Sequence, residues 1–238
     1  MSFGEFPYFF HNVSSLELEK YYEKSILEKI FSHDVKFFDV ENFPSFLNLF
    51  KALNQNTAGA INISNMAREI NLNKATVKRY IDILEKMFLY NYISKHSKSI
   101  RTQISSFKKG YSCSLNLLRT SLNLDYKNIH KEIWGHIIET FVYNELKRQN
   151  AQSAMYDIHF YNNSREKQEV DFVLSFKGNL LPIEVKANSE IRKNYFRGLI
   201  YFMNKEDLDK GFLLYGGNEI LEKKIDNKTI YCLPYFLI

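Results

Sequence analysis

Cysteine is nearly absent: the 238-residue chain has two, Cys113 and Cys232. They stand far apart and without metal-ligand spacing. That argues against a disulfide scaffold or a zinc finger and fits a reduced, cytoplasmic protein or two core-filling thiols. Four prolines and nine glycines leave little material for long flexible linkers. No apolar run reaches the roughly 18 residues that span a bilayer, so no membrane association is expected. Met1 to Pro7 lack a basic stretch followed by an apolar one and do not read as a secretory signal. Nor does the chain contain Gly-x-x-x-x-Gly-Lys-Ser/Thr, the loop whose backbone amides cradle phosphates. No nucleotide site and no ATPase activity are therefore expected from this chain alone.

What is present fits a globular protein. Hydrophobic residues make up 45% and charged residues 25%, enough for two small domains or one large one with cores of their own. Aromatic residues reach 16%, mostly Phe and Tyr. The net charge of +5 is unevenly placed. Residues 1–59 hold 5 Lys and Arg against 8 Asp and Glu, residues 60–130 hold 12 against 4, and residues 131–238 hold 15 against 15. The middle stretch thus carries the whole excess, as expected of a nucleic-acid contact or of a solvated basic surface.

Periodicity divides the chain. Leu18, Tyr21, Tyr22, Ile26, Leu27 and Ile30 form one stripe of a helix expected over 16–33. A second helix is expected from Ser45 to Gln55, with Pro44 at its first turn. From Ile63 to Ile81 the sequence suits a helix-turn-helix. Ser64 is placed to cap the first helix, Ala67 is small where the helices must touch, and Asn71 tolerates the left-handed turn. Val77, Ile81 and Leu84 turn inward. Lys74, Thr76, Lys78 and Arg79 turn outward, suited to a DNA groove. Leu89–His96 and Phe107–Cys113 are expected to form a two-stranded wing joined by a basic loop with Lys98 and Arg101. Such modules also serve as protein-docking surfaces.

Beyond Lys131 the pattern changes. A long helix to Gln149 precedes strands near Ile158–Tyr161, Glu169–Leu174 and Leu180–Val185. A helix from about Glu190 to Met203 and strands Gly211–Tyr215 and Thr229–Leu233 complete an α/β layout. Alternation places Val170, Phe172 and Leu174 on one face of their strand, and Glu169, Asp171 and Val173 on the other. The next strand puts Ile183 and Val185 against Glu184 and Lys186. Charges inside apolar strands are costly unless paired or bound to metal. The helix brings a third acid, Glu139, to the border of its apolar face. Clustered oxygen donors without nearby Cys or His favour Mg²⁺ or Mn²⁺ over Zn²⁺. Lys186 is placed to hold a water nucleophile or offset charge on a phosphate oxygen. Structural salt bridges among the same residues are the plainer alternative.

The stretches Gly135-His136-Ile137-Ile138-Glu139-Thr140-Phe141-Val142-Tyr143-Asn144-Glu145-Leu146-Lys147-Arg148, Glu169-Val170-Asp171-Phe172-Val173-Leu174 and Leu181-Pro182-Ile183-Glu184-Val185-Lys186 resemble the C-terminal region of a widespread group of prokaryotic AAA-type ATPases. The likeness extends from about Gly4 to Tyr215. In that family the region follows the ATPase core. It holds a winged helix and a PD-(D/E)XK-type nuclease-like domain, usually labelled a domain of unknown function. This chain departs from the pattern twice. It has no phosphate loop, and where the family carries Lys-x-Tyr-x-x-Asp, it has Lys109-x-Tyr111 followed by Ser114.

The expected fold class is α/β and α: an N-terminal helical segment (1–58), a winged helix-turn-helix (59–128) and a restriction-endonuclease-like α/β domain with a mixed central sheet (129–238). The expected function is DNA binding joined to Mg²⁺-dependent phosphodiester hydrolysis, with Asp171, Glu184 and Glu139 on the metal and Lys186 on water or phosphate. Lys74, Thr76, Lys78 and Arg79 would meet the nucleic acid, expected to be double-stranded DNA. The alternative is a non-catalytic binding module that works with a separate ATPase.

Overall fold

The computed structural model describes residues 17, 20–38, 40–122, 130–153 and 155–238. A π-type helical turn (Tyr21–Leu27) leads into α1 (Glu28–Ser32) and a tight 3₁₀ turn (Asp34–Phe37). Then follow α2 (Phe43–Gln55), β1 (Gly59–Ala60), α3 (Ile63–Glu69), α4 (Lys74–Lys86), β2 (Tyr90–Lys95), α5 (Ile100–Ser105), β3 (Lys109–Ser112) and α6 (Leu115–Leu122). The second half contains α7 (Lys131–Ser153), β4 (Asp157–Asn163), β5 (Gln168–Phe176), β6 (Asn179–Lys186), α8 (Arg197–Lys205), β7 (Lys210–Tyr215), β8 (Leu221–Ile225) and β9 (Lys228–Pro234). The protein is of mixed α/β class and divides into two compact units, residues 1–91 with 110–129 and residues 92–109 with 130–238.

In the first unit, Phe46, Leu49, Phe50 and Leu53 make the buried stripe of α2. Pro44 occupies its first turn, where a missing N–H costs nothing, and Asn42 caps it by accepting from the Ser45 N–H at 3.0 Å. Phe46 meets the ring of Tyr80 at 5.2 Å, and the Tyr80 hydroxyl accepts from the Asn42 N–H. These contacts join α2 to α4 within the first unit. The helix expected over 16–33 starts outside the described residues, as do the whole of Leu18, the side chain of Ile26 and the stretch from Gly4 to Leu16.

α3 and α4 meet through a short turn in which Asn71 adopts φ +52° and the Leu72 N–H donates to the Ala67 carbonyl. Ala67, Val77, Ile81 and Leu84 are buried. The cap of α3 is Asn62, accepting from the Asn65 N–H at 3.0 Å, and not Ser64, which lies inside the helix. Asn73 caps α4 in the same way. The segment expected as a basic wing loop contains α5, begun by Ser99, whose hydroxyl accepts from the Thr102 N–H. Residues 92–109, including this helix, belong to the second unit.

The sheet of the second unit runs in the order β2-β4-β5-β6-β7-β9-β8. β2 is parallel to β4, β4–β5 and β5–β6 are antiparallel, β6–β7 and β7–β9 parallel, and β8–β9 antiparallel. α8, the crossover between β6 and β7, buries Leu199, Phe202 and Met203 in a cluster with Val170, Val173 and Leu213. Phe172 instead stacks on Tyr143 of α7. Strict alternation along β5 therefore fails: Val170 and Val173 share a cluster although three residues apart. Tyr161 pairs with Val170 and His159 with Val173, so β5 carries one extra residue there, a bulge at Asp171–Phe172.

Candidate functional site

The bulge positions the acid cluster. The β5–β6 ladder is registered from Phe172↔Ile183 outward to Phe176↔Asn179. At Asp171 the pattern changes: its Oδ2 accepts the Val185 N–H at 2.8 Å, a side chain doing the work of a strand partner. Asp171, Glu184 and, from α7, Glu139 are all buried, at 8, 9 and 8% exposure. Three carboxylates in a protein interior need compensation from hydrogen bonds or cations.

Part of that compensation comes from Lys109 on β3, itself buried. Its Nζ lies 2.7 Å from Glu139 Oε1, 3.1 Å from Glu169 Oε1 and 3.4 Å from Asp171 Oδ1. Burial pushes the Lys109 ammonium down, but Glu139, Asp171 and Glu169 outweigh it and hold it well above the usual lysine value. Lys186, at the end of β6, places its Nζ 2.5 Å from Glu184 Oε1 and 5.7 Å from the centre of the Tyr195 ring. Its charge is likewise favoured by Asp171 and Glu184 against the cost of burial.

The two strand acids diverge. Burial raises Asp171, but Lys109, Lys186 and the Val185 N–H more than reverse it, leaving the carboxyl below its usual range. Glu184 is raised to about 8 by burial and by the Asp171 charge, against the pull of Lys186 and Lys109. Its Oε2 is buried and has no hydrogen-bond partner. The opposite shifts follow from Asp171 facing two lysines and a backbone N–H while Glu184 faces the Asp171 charge.

The structure thus gathers all four residues expected at the centre: Glu139, Asp171, Glu184 and Lys186. Glu169, expected on the same strand face as Asp171, reaches the same cluster through Lys109. Lys109 itself was visible only as part of the Lys-x-Tyr pattern, without a role. The available signal was a lysine in a short strand whose next residues, Gly110, Tyr111 and Ser112, are buried, where a lysine must find an acid. Ser114, at the departure from that pattern, accepts the Leu117 N–H at 3.1 Å and so caps α6. Ser is among the favoured cap residues, as is Asp.

The residues expected to meet DNA differ among themselves. Lys74 and Lys78 are exposed on α4, and Thr76 is partly covered in its capped first turn. Arg79 is engaged, with Nη2 3.3 Å from Glu41 Oε1 and its guanidinium over the Tyr80 ring. The middle basic stretch is also divided: Lys98 pairs with Glu206 at 3.0 Å, Lys108 donates to the Ser94 hydroxyl, and Lys109 is buried among acids.

An α/β unit with a buried acid–lysine cluster is the class that fold and site define. Its residues 134–236 match the family model of a domain of unknown function (DUF4143). Residues 1–128, more than half of the chain, match that of a second domain of unknown function (DUF8612), and the chain belongs to this family. No curated protein matches the chain. Among the described residues, no helix is long and apolar enough to cross a membrane.

Proposed function

We propose that the second unit is a PD-(D/E)XK-type nuclease-like domain that hydrolyses phosphodiester bonds with Mg²⁺ or Mn²⁺, and that the chain binds double-stranded DNA. The observation that carries the proposal is Glu184: a buried carboxylate with one oxygen unpartnered, beside Asp171 and in contact with Lys186. Such an oxygen is costly in an apolar interior and suits a hard cation. Asp171, Glu184 and Glu139 would hold the ion, which when bound would polarise a phosphoryl oxygen and acidify a water. Lys186, whose charge is secured by both strand acids, orients the attacking water or stabilises negative charge building on the phosphate. Asp171 remains ionised across the neutral range and is itself oriented by the Val185 N–H. The helix and antiparallel strands that carry these residues, with the α8 crossover packed on β5, support the same reading.

In this account α3 and α4, with β2 and β3, form a winged helix-turn-helix whose α4 faces the duplex. Exposed Lys74 and Lys78 make the phosphate contacts, with Thr76 beside them, while Arg79 contributes less because Glu41 already holds it. The protein acts in the cytoplasm. The family resemblance supports a partnership with an ATPase encoded separately or elsewhere in a longer chain. The test is incubation of supercoiled plasmid with the pure protein and Mn²⁺ or Mg²⁺. Nicking that chelation abolishes is expected, and intact plasmid at every metal concentration contradicts the proposal.

One observation favours a second reading. Lys109 already neutralises Glu139, Glu169 and Asp171 in part, as it would in a retired site kept as a scaffold. The chain would then be a DNA- or protein-binding module without catalysis.

A further inference from the structure

Lys109 reaches three carboxylates at once, and two of them, Asp171 and Glu139, are the oxygens a divalent ion would use. Glu184 is different: Lys186 holds one of its oxygens and the other is open. The cluster therefore has one contact ready for a cation and two already taken by an ammonium. That ammonium is tethered, so it faces the acids at a high effective concentration that a free ion must overcome.

We infer that Lys109 is the resident counter-cation of the acid cluster and competes with a divalent metal for Asp171 and Glu139. Lys109 keeps the carboxylates compensated when no ion is bound and so preserves the fold. In exchange it weakens the site, because an entering ion must push the ammonium aside or tolerate a like charge beside it. The lysine thus sets the metal concentration at which the centre fills. The inference rests on the metal reading proposed above, but it concerns affinity and not cleavage.

The test is Mn²⁺ binding, followed by calorimetry and by the loss of the free-ion paramagnetic signal, on the full chain and three variants. Lys109→Met keeps the length and apolar stem of the side chain without its charge. Lys109→Arg keeps the charge. Asp171→Asn in the Lys109→Met background removes a ligand. Competition predicts that Lys109→Met lowers the melting temperature without metal, binds Mn²⁺ at least about tenfold more tightly than wild type, and regains stability as Mn²⁺ is added. Lys109→Arg should stay close to wild type, and the double variant should lose the gain in affinity. If Lys109→Met does not fold without metal, its recovery on refolding in Mn²⁺ but not in the metal-free buffer supports the inference equally.

Equal or weaker Mn²⁺ binding by Lys109→Met overturns the inference, as does a loss of stability that Mn²⁺ does not repair. Wild-type binding distinguishes this failure from that of the metal reading. If wild type binds Mn²⁺ and Lys109→Met binds no better, only the competition is wrong. If neither binds, the metal site itself is wrong and the competition falls with it.

Discussion

Glu184 is the residue on which the proposed chemistry of the site turns. Its carboxyl is raised to about 8 by burial and by the neighbouring Asp171 charge. A group whose pKa is higher in the folded state favours folding most when protonated. Its contribution is full below the ordinary carboxylate value and is lost as pH rises through the folded value. Asp171 acts in the opposite sense, since its lowered pKa gives stability that is lost on acidification. A comparison of wild type with Glu184→Gln isolates the first effect. Denaturation between pH about 5 and 8 should show wild type losing stability relative to the variant as pH rises. Parallel curves would mean that Glu184 is not raised. Glu139, Asp171, Glu184 and Lys186 were legible in the sequence because a charge inside an apolar strand or at the border of an apolar helix face is conspicuous. Lys109 was not, because it meets Glu169 and Asp171 across 60 and 62 residues of chain. No local spacing encodes such a contact.

At the scale of elements, helices with apolar stripes and caps were readable, and departures from regular pattern were not. The turn at Asn71 and the inward set Val77, Ile81 and Leu84 follow from local chemistry. The bulge in β5 does not, since Val170, Phe172 and Leu174 alternate perfectly on paper. β8 was missed because it is an edge strand whose middle, Glu222, Lys223 and Lys224, is exposed and charged, without an apolar alternation to reveal it. α5 leaves no helical signature in the sequence because it is only six residues long and none of its residues is buried. The packing of α8 on β5 depends on one glycine: a Cβ at Gly198 would lie 1.9 Å from the Glu169 carbonyl oxygen. That clash is with backbone and cannot be relieved by a side-chain rotation. Gly198→Ala should therefore destabilise the chain by about 1–3 kcal/mol or more and shift the strand that carries Glu169 and Asp171. A melting temperature equal to wild type would show that α8 does not approach β5 so closely.

For the whole molecule, part of the basic excess of residues 60–130 is neutralised internally: Arg79, Lys98 and Lys109 are each paired with acids within their own units. Lys74, Lys78 and, in the last turn, Lys86 are exposed cations on α4. If Lys74 and Lys78 each meet one phosphate, Lys74→Ala with Lys78→Ala should weaken duplex binding and reduce the log–log salt slope by about 2. Anisotropy titrations over a salt series measure this, and a slope unchanged from wild type would remove α4 as the DNA reader. The central claim is that the acid–lysine cluster hydrolyses phosphodiesters. Its most direct test is plasmid nicking in Mn²⁺ by wild type, Asp171→Asn and Lys186→Met, each confirmed as folded. The account predicts cleavage by wild type and a loss of about a hundredfold or more in each variant. Cleavage by the variants at the wild-type rate, or none by wild type, would contradict it.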